Sequence, residues 1–306
     1  MNEFLVIEAG ERAPQRLRRQ GLDLADQALG RLDAMAIGDQ KALHDVRRRL
    51  KELRALTSLL GQPDGDFFRD AGRELADYRD AKAAVEAFDR LRERCGREWT
   101  PRQFLKIRRA LEARVCANVE QAIIEKLRQG LLVERGQIAA WTVDDMKRDD
   151  LWSALTRSYK RARRAMRVVR REMTPENLHE WRKRVKIHWY HAQFFDDVKI
   201  VRLDSHIRLL RKLSRALGDH HDLVIVDGLV QTSGSTSSLQ LFRRYIATRL
   251  TELERDAEAL GHQIFATRTR SWQVRMRLIA GPADARIRVR SAPSPISPSK
   301  PRFTSY

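Results

Sequence analysis

Apolar residues recur at intervals of three and four along most of the chain, as in Leu43, Val46, Leu50, Leu53, Leu56 and Leu60. That spacing places them on one side of an α-helix. Sustained two-residue alternation is confined to Phe4–Ile7, a candidate short strand. The pattern predicts helices over about 14–36, 39–61, 64–93, 101–133, 148–173, 175–197, 199–231 and 236–266, with a weaker one near 268–279. Proline supplies the punctuation, because its ring fixes φ and removes an N–H and so suits only a helix's first turn. Pro14, Pro63, Pro101 and Pro175 each stand just ahead of a periodic segment, and Thr100-Pro101 and Thr174-Pro175 read as an N-cap followed by the first helical residue. Thr100 and Gln103 also fit a capping box. The expected fold class is all-α.

The division follows from breaks in the pattern. A short segment over 1–13 precedes a first four-helix half at 14–135, a linker at 136–147, a second half at 148–279 and a Pro/Ser-rich basic tail at 280–306. The tail, with Pro282, Pro293, Pro295, Pro298 and Pro301, lacks the apolar material for a core. The halves carry a degenerate repeat. Leu43-His44-Asp45-Val46-Arg47-Arg48-Arg49-Leu50-Lys51 matches Leu178-His179-Glu180-Trp181-Arg182-Lys183-Arg184-Val185-Lys186 as Leu-His-acid-apolar, three bases, apolar, Lys. A looser pair follows in Arg73–Asp80 and Arg215–Asp222. A duplicated helical unit accounts for both.

Charge sharpens the picture. There are 60 Lys and Arg against 41 Asp and Glu, a net charge of +19, so acidic partners are favoured. His44, Arg47, Arg48, Lys51 and Arg54 fall within about 80° of one another's mean line on one helix face, and His179, Arg182, Lys183, Lys186 and Tyr190 repeat that line. A third row, Arg157, Lys160, Arg161, Arg164, Arg167 and Arg171, lies opposite Trp152, Leu155, Tyr159, Ala162, Met166 and Val169. Solvated helix faces normally mix signs, since like charges at i,i+4 are destabilising by about 0.2–0.5 kcal/mol a pair. Rows this free of acids point to an anionic ligand, held by charge-assisted hydrogen bonds. Single exposed contacts are worth only about 0–1 kcal/mol, which selects a polyanion.

Other chemistry is less well supported. Glu176-x-x-His179, His188-x-x-His191 and His220-His221-Asp222 have spacings a metal can use. Lys41 stands where the first copy would need the counterpart of Glu176, and cationic side chains flank each candidate, so no metal and no cofactor is expected. No Gly-x-x-x-x-Gly-Lys-Ser/Thr, Gly-x-Ser-x-Gly or Cys-His pairing occurs, and the chain reads as a holder of its ligand, not an enzyme. Only Cys95 and Cys116 occur, without metal spacing, and the N-terminus has neither a secretory pattern nor a long apolar run. A cytoplasmic protein that does not engage membranes is expected.

The paired Leu-His-acid motifs, with the basic segment Tyr159-Lys160-Arg161-Ala162-Arg163-Arg164, resemble the CHAD family of histidine-marked α-helical domains over about 14–266. The resemblance implies two four-helix bundles related by pseudo-two-fold symmetry, with a basic central groove or pore that binds inorganic polyphosphate, and a place on polyphosphate granules. It points to His44, Arg47, Arg48, Lys51 and Arg54, and to Lys160, Arg161, Arg164, His179, Arg182, Lys183 and Lys186; Arg79, Arg208, Arg211 and Lys212 follow from the same likeness. Phosphate or sulfate ions are then expected to occupy the site in a crystal. The Glu-x-Glu-x-Lys strand signature of the hydrolases fused to some members is absent from 1–10, which fits a stand-alone binding module. A nucleic-acid binder, drawn by the same charge, is the alternative, and a phosphate-chain-processing enzyme stands behind it.

Overall fold

The structure is a computed structural model that describes residues 11–63, 66–95, 101–113, 119–231 and 237–280. The described residues are helical with turns between, and no strand occurs among them. The expected strand at Phe4–Ile7, the Thr100 cap, both cysteine side chains and the tail from residue 281 lie outside the described residues. In chain order the helices are α1 (Ala13–Leu29), α2 (Leu32–Ala36), α3 (Gln40–Leu59), α4 (Asp66–Glu74), α5 (Ala76–Cys95), α6 (Pro101–Glu112), α7 (Gln121–Ala139), α8 (Arg148–Val169), α9 (Pro175–Asp197), α10 (Asp204–Gln231), α11 (Ser237–Phe265) and α12 (Thr269–Ala280).

Helix starts follow local chemistry. Asp39 caps α3, its carboxylate accepting from the backbone N–H groups of Lys41 at 2.8 Å and Ala42 at 3.3 Å. Thr174 caps α9, its hydroxyl oxygen accepting from the N–H of Asn177 at 3.2 Å, with Pro175 in the first turn. Three expected helices are interrupted. The segment 14–36 breaks at Gly30 and Arg31, and 64–93 breaks at Leu75, where the chain turns from packing on α3 to packing on α10. The segment 101–133 is also two helices, and α7 continues through Gly136 to Ala139.

Buried apolar side chains from Leu17 to Ala280 form one continuous core. In the second half, Tyr159 stacks on Trp272 at 4.2 Å between ring centroids and its hydroxyl donates to the Thr267 carbonyl at 2.9 Å. Phe88 of α5 meets Phe242 of α11 edge to face at 5.2 Å, joining the halves through an aromatic contact. In the first half, Asp26 and Asp33 clamp α7, pairing with Arg135 at 2.6 Å and Arg128 at 2.5 Å. These are acids that keep the first helical region from matching the basic row on α8.

The arrangement that matters for function is a closed circuit of packing. α3 packs on α9, α9 on α10, α10 on α5, and α5 joins through α4 back to α3. α1 and α7 back this circuit on the α3 side, and α8, α11 and α12 back it on the other.

Candidate functional site

Each copy of the repeat turns its apolar side to the core and, Arg47 excepted, its bases away from it. Leu43, Val46, Leu50 and Leu53 are buried on α3, as are Leu178, Trp181 and Val185 on α9. On α3, His44 and Arg48 are exposed and Lys51 and Arg54 half-buried. Arg47 is only 6% exposed, and its Nη1 donates to the Gly72 carbonyl of α4 at 3.4 Å. On α9, Lys183 is exposed while His179, Arg182 and Lys186 are half-buried.

The row on α9 runs against α10. The His179 ring lies 4.4 Å from the His221 ring, and a Cβ on Gly218 would stand 3.6 Å from Arg182 Nε. In both halves the arginine that follows the histidine by three thus reaches a glycine on the next helix of the circuit. The two rows meet where α3 crosses α9. There His191 Nε2 donates to the Ala55 carbonyl at 2.9 Å. Tyr190 beside it is 6% exposed, stacks on Trp189 at 5.3 Å, and feels the charges of Glu52, Arg48, Arg182 and Arg49. Burial raises the Tyr190 hydroxyl well above its ordinary value. Its ring is therefore packing at the crossing and is closed to stacking with a ligand.

The acids of the repeat pair with bases inside and outside the rows, Asp45 also lying 3.6 Å from Arg31. Asp45 sits 3.7 Å from Arg48, and Glu180 sits 3.6 Å from Lys183 and 2.6 Å from Arg184. Pairs of this exposure contribute about 0–1 kcal/mol and exchange readily for a stronger anion. His179 is pushed down to about 4, first by burial and then by His221, Lys183 and Arg182, against the opposite pull of Glu180. Its imidazole is neutral near pH 7, and its buried Nδ1 makes no hydrogen bond.

The row on α8 is placed differently. Arg157, Lys160, Arg161 and Arg164 are exposed, and none of them forms an ion pair among the described residues. Arg157 and Arg161 line a recess shared with Ser58 of α3 and with Arg184 and His191 of α9. Arg184 lies about 140° around α9 from His179, so this recess is on another side of α9 from the repeat's basic face. The sequence row thus forms a second basic surface, separate from the first.

The remaining candidates are scattered. Arg208, Arg211 and Lys212 are exposed on α10, with Arg208 Nη2 donating to Ser205 Oγ at 2.9 Å. Lys212 borders a cleft between α10 and α11 that also holds Arg215, Asp219, Arg249 and Asp256. Arg54 is close enough for its charge to help lower Asp70, whose largest influence is the hydrogen bond from Arg69. The Arg79 side chain lies outside the described residues. Arg184 and Ser58 were not singled out from sequence: Arg184 is visible in the repeat, but its helix angle sets it off the row.

The histidines with metal-compatible spacing have other partners. His188 Nδ1 is 2.8 Å from the buried Ser158 Oγ and its Nε2 is 2.9 Å from Nε2 of the half-buried His206; His220 Nε2 is 3.2 Å from Glu254. Among the described residues no three His, Cys, Asp or Glu side chains converge on one point. No helix among them is long and apolar enough to cross a membrane.

Comparison with curated proteins yields no match. The sequence model of the CHAD domain matches residues 20–231, a span that takes in both copies of the Leu-His-acid motif and every helix of the packing circuit. With that match over more than half of its length, the chain belongs to the CHAD domain family.

Proposed function

We propose that this chain binds inorganic polyphosphate, without processing it, in a basic groove formed by the facing rows on α3 and α9. The observation that carries the reading is their meeting: two copies of one basic motif, 135 positions apart in the chain, come together at the Tyr190 crossing inside one circuit of helices. Arg47 reaching α4 and Arg182 lying along α10 support the rows facing the inner side of that circuit. A linear phosphate polymer engages many such weak contacts at once, and releasing its condensed counterions favours binding, as it does for nucleic acids. The half-buried, neutral His179 can donate to a phosphate oxygen or become protonated beside one. The exposed rows on α8 and α10 extend the positive field and steer the polymer inward. In a cell, a protein of this kind is expected on polyphosphate granules.

Nucleic acid is the competing polyanion. Single-strand binders rely on aromatic side chains that stack on bases, and Tyr190, the one aromatic in the rows, is buried. Competition tests the choice: labelled polyphosphate bound at physiological salt should survive a DNA oligonucleotide at equal charge concentration. Displacement would remove the specificity claimed here. Release of orthophosphate from the chain by purified protein with magnesium would overturn the non-catalytic part.

A further inference from the structure

We propose that the recess between α8, α9 and the C-terminal end of α3 is a second anion site, taking one tetrahedral phosphoryl group and recognising it by its P–OH proton. It is distinct from the groove above and does not depend on that reading.

Three features carry it. Arg157 and Arg161, one turn apart on α8, border the recess without an ion pair among the described residues, a like-charged arrangement that an anion between them would relieve. Arg184 borders it from α9, with its Nε and Nη2 fixed on Glu180 Oε1 at 2.7 and 2.6 Å. Ser58 adds a hydroxyl from α3. The third feature is His191, 1% exposed, which lines the same recess with an Nδ1 atom that has no hydrogen-bond partner. Leaving a buried polar atom unsatisfied is costly, so it points to a ligand.

The tautomer sets the specificity. A carbonyl only accepts, so the 2.9 Å contact to Ala55 places the His191 proton on Nε2. Nδ1 of the neutral ring is then a lone-pair acceptor in the wall of a recess bordered by arginines. It repels a fully deprotonated oxygen and accepts a hydrogen bond from P–OH. The charged and titratable groups around it are Arg157 and Arg161 on α8 and, on α9, His188 and Arg184 with its partner Glu180, while α3 presents the Ala55 carbonyl and Ser58. Burial, with Arg157 and Arg161, holds His191 down to about 4 against the Ala55 hydrogen bond, so the neutral form is the resident one. Hydrogen phosphate brings its own proton. Sulfate brings none and binds only if His191 takes one from solvent. The recess is small, which suits a single small oxyanion more than a length of polymer.

Calorimetric titration of the full chain with inorganic orthophosphate and with sulfate, at fixed ionic strength, tests this. Orthophosphate should bind at one site at least tenfold more tightly than sulfate at pH 8. Between pH 7.5 and 8.5 its affinity should hold steady, while that of sulfate should fall about tenfold, the linkage of one proton. Arg161→Ala, at an exposed position, should weaken orthophosphate at least tenfold, and His191→Phe should erase the preference over sulfate. If the buried His191 variant fails to fold, the wild-type pH comparison and Arg161→Ala still decide. Lys51→Glu with Lys186→Glu should leave orthophosphate binding intact, which separates this site from the groove. In that double variant, displacement of orthophosphate by tripolyphosphate would identify a chain end as the source, and no displacement would identify free orthophosphate. Equal binding and parallel pH dependence of the two ions, an unaffected Arg161→Ala variant, or no saturable heat would overturn the proposal.

Discussion

In the second half His188 and His191 are buried and His206 is half-buried, with pKa values pushed below the ordinary value of 6.5, chiefly by desolvation, His191 and His206 to about 4. The sign follows from comparing the two states. An unfolded chain takes up protons at these histidines below about pH 6.5, whereas the folded one resists until near pH 4. Their contribution is therefore complete above pH 6.5 and lost as the pH falls toward 4. The carboxyls of the exposed Asp197 and the half-buried Asp219, raised by partial desolvation, act in the opposite sense at lower pH. Urea melts at pH 7.5 and pH 5 should show a loss on the order of 2 kcal/mol for each of His191 and His206. A protein equally stable at both would show that these rings are solvated. The Leu-His-acid repeat made His44 and His179 stand out from sequence. The contact of His191 with the Ala55 carbonyl is not legible, because its register toward the core depends on where α3 crosses α9, a contact between residues 136 positions apart.

Among the elements, α9 was the most legible: Thr174-Pro175 fixes its start, and the structure ends it at Asp197 as the periodicity does. The breaks at Gly30 and Leu75 were not legible, since apolar spacing continues through both and the turn is dictated by which neighbour each piece packs on. Close packing of long helices carries its own expectation. Trp181, the repeat's large apolar residue, lies where a Cβ on Gly261 would come within 2.6 Å of its ring and 3.0 Å of Met166 Sδ. Gly261→Ala should therefore destabilise by about 1–3 kcal/mol by overpacking, although alanine is the better helix former. A melting temperature unchanged or raised would mean that α11 can slide away from α9. At the start of α3, Asp39→Ala should cost about 1 kcal/mol through the lost cap, read as a lower urea midpoint with an unchanged slope.

For the whole molecule, charge and periodicity implied an all-helical polyanion holder. What they could not supply is how three basic rows are distributed. The α3 and α9 rows share one circuit of helices, while Arg157 and Arg161 look into a recess on another side of α9. Arg184, one residue from the exposed Lys183, belongs with the latter, a separation that arises from helix angle and crossing alone. On this account the polymer-binding groove is bipartite and the α8 surface is accessory. The most direct measurement is calorimetric titration of a defined-length polyphosphate into the wild type, Lys51→Glu and Lys186→Glu at fixed physiological salt. The account predicts one class of site in the wild type, and each single variant weakening that same site at least tenfold with stoichiometry unchanged. Two independent classes of site, each variant abolishing one and sparing the other, would contradict it.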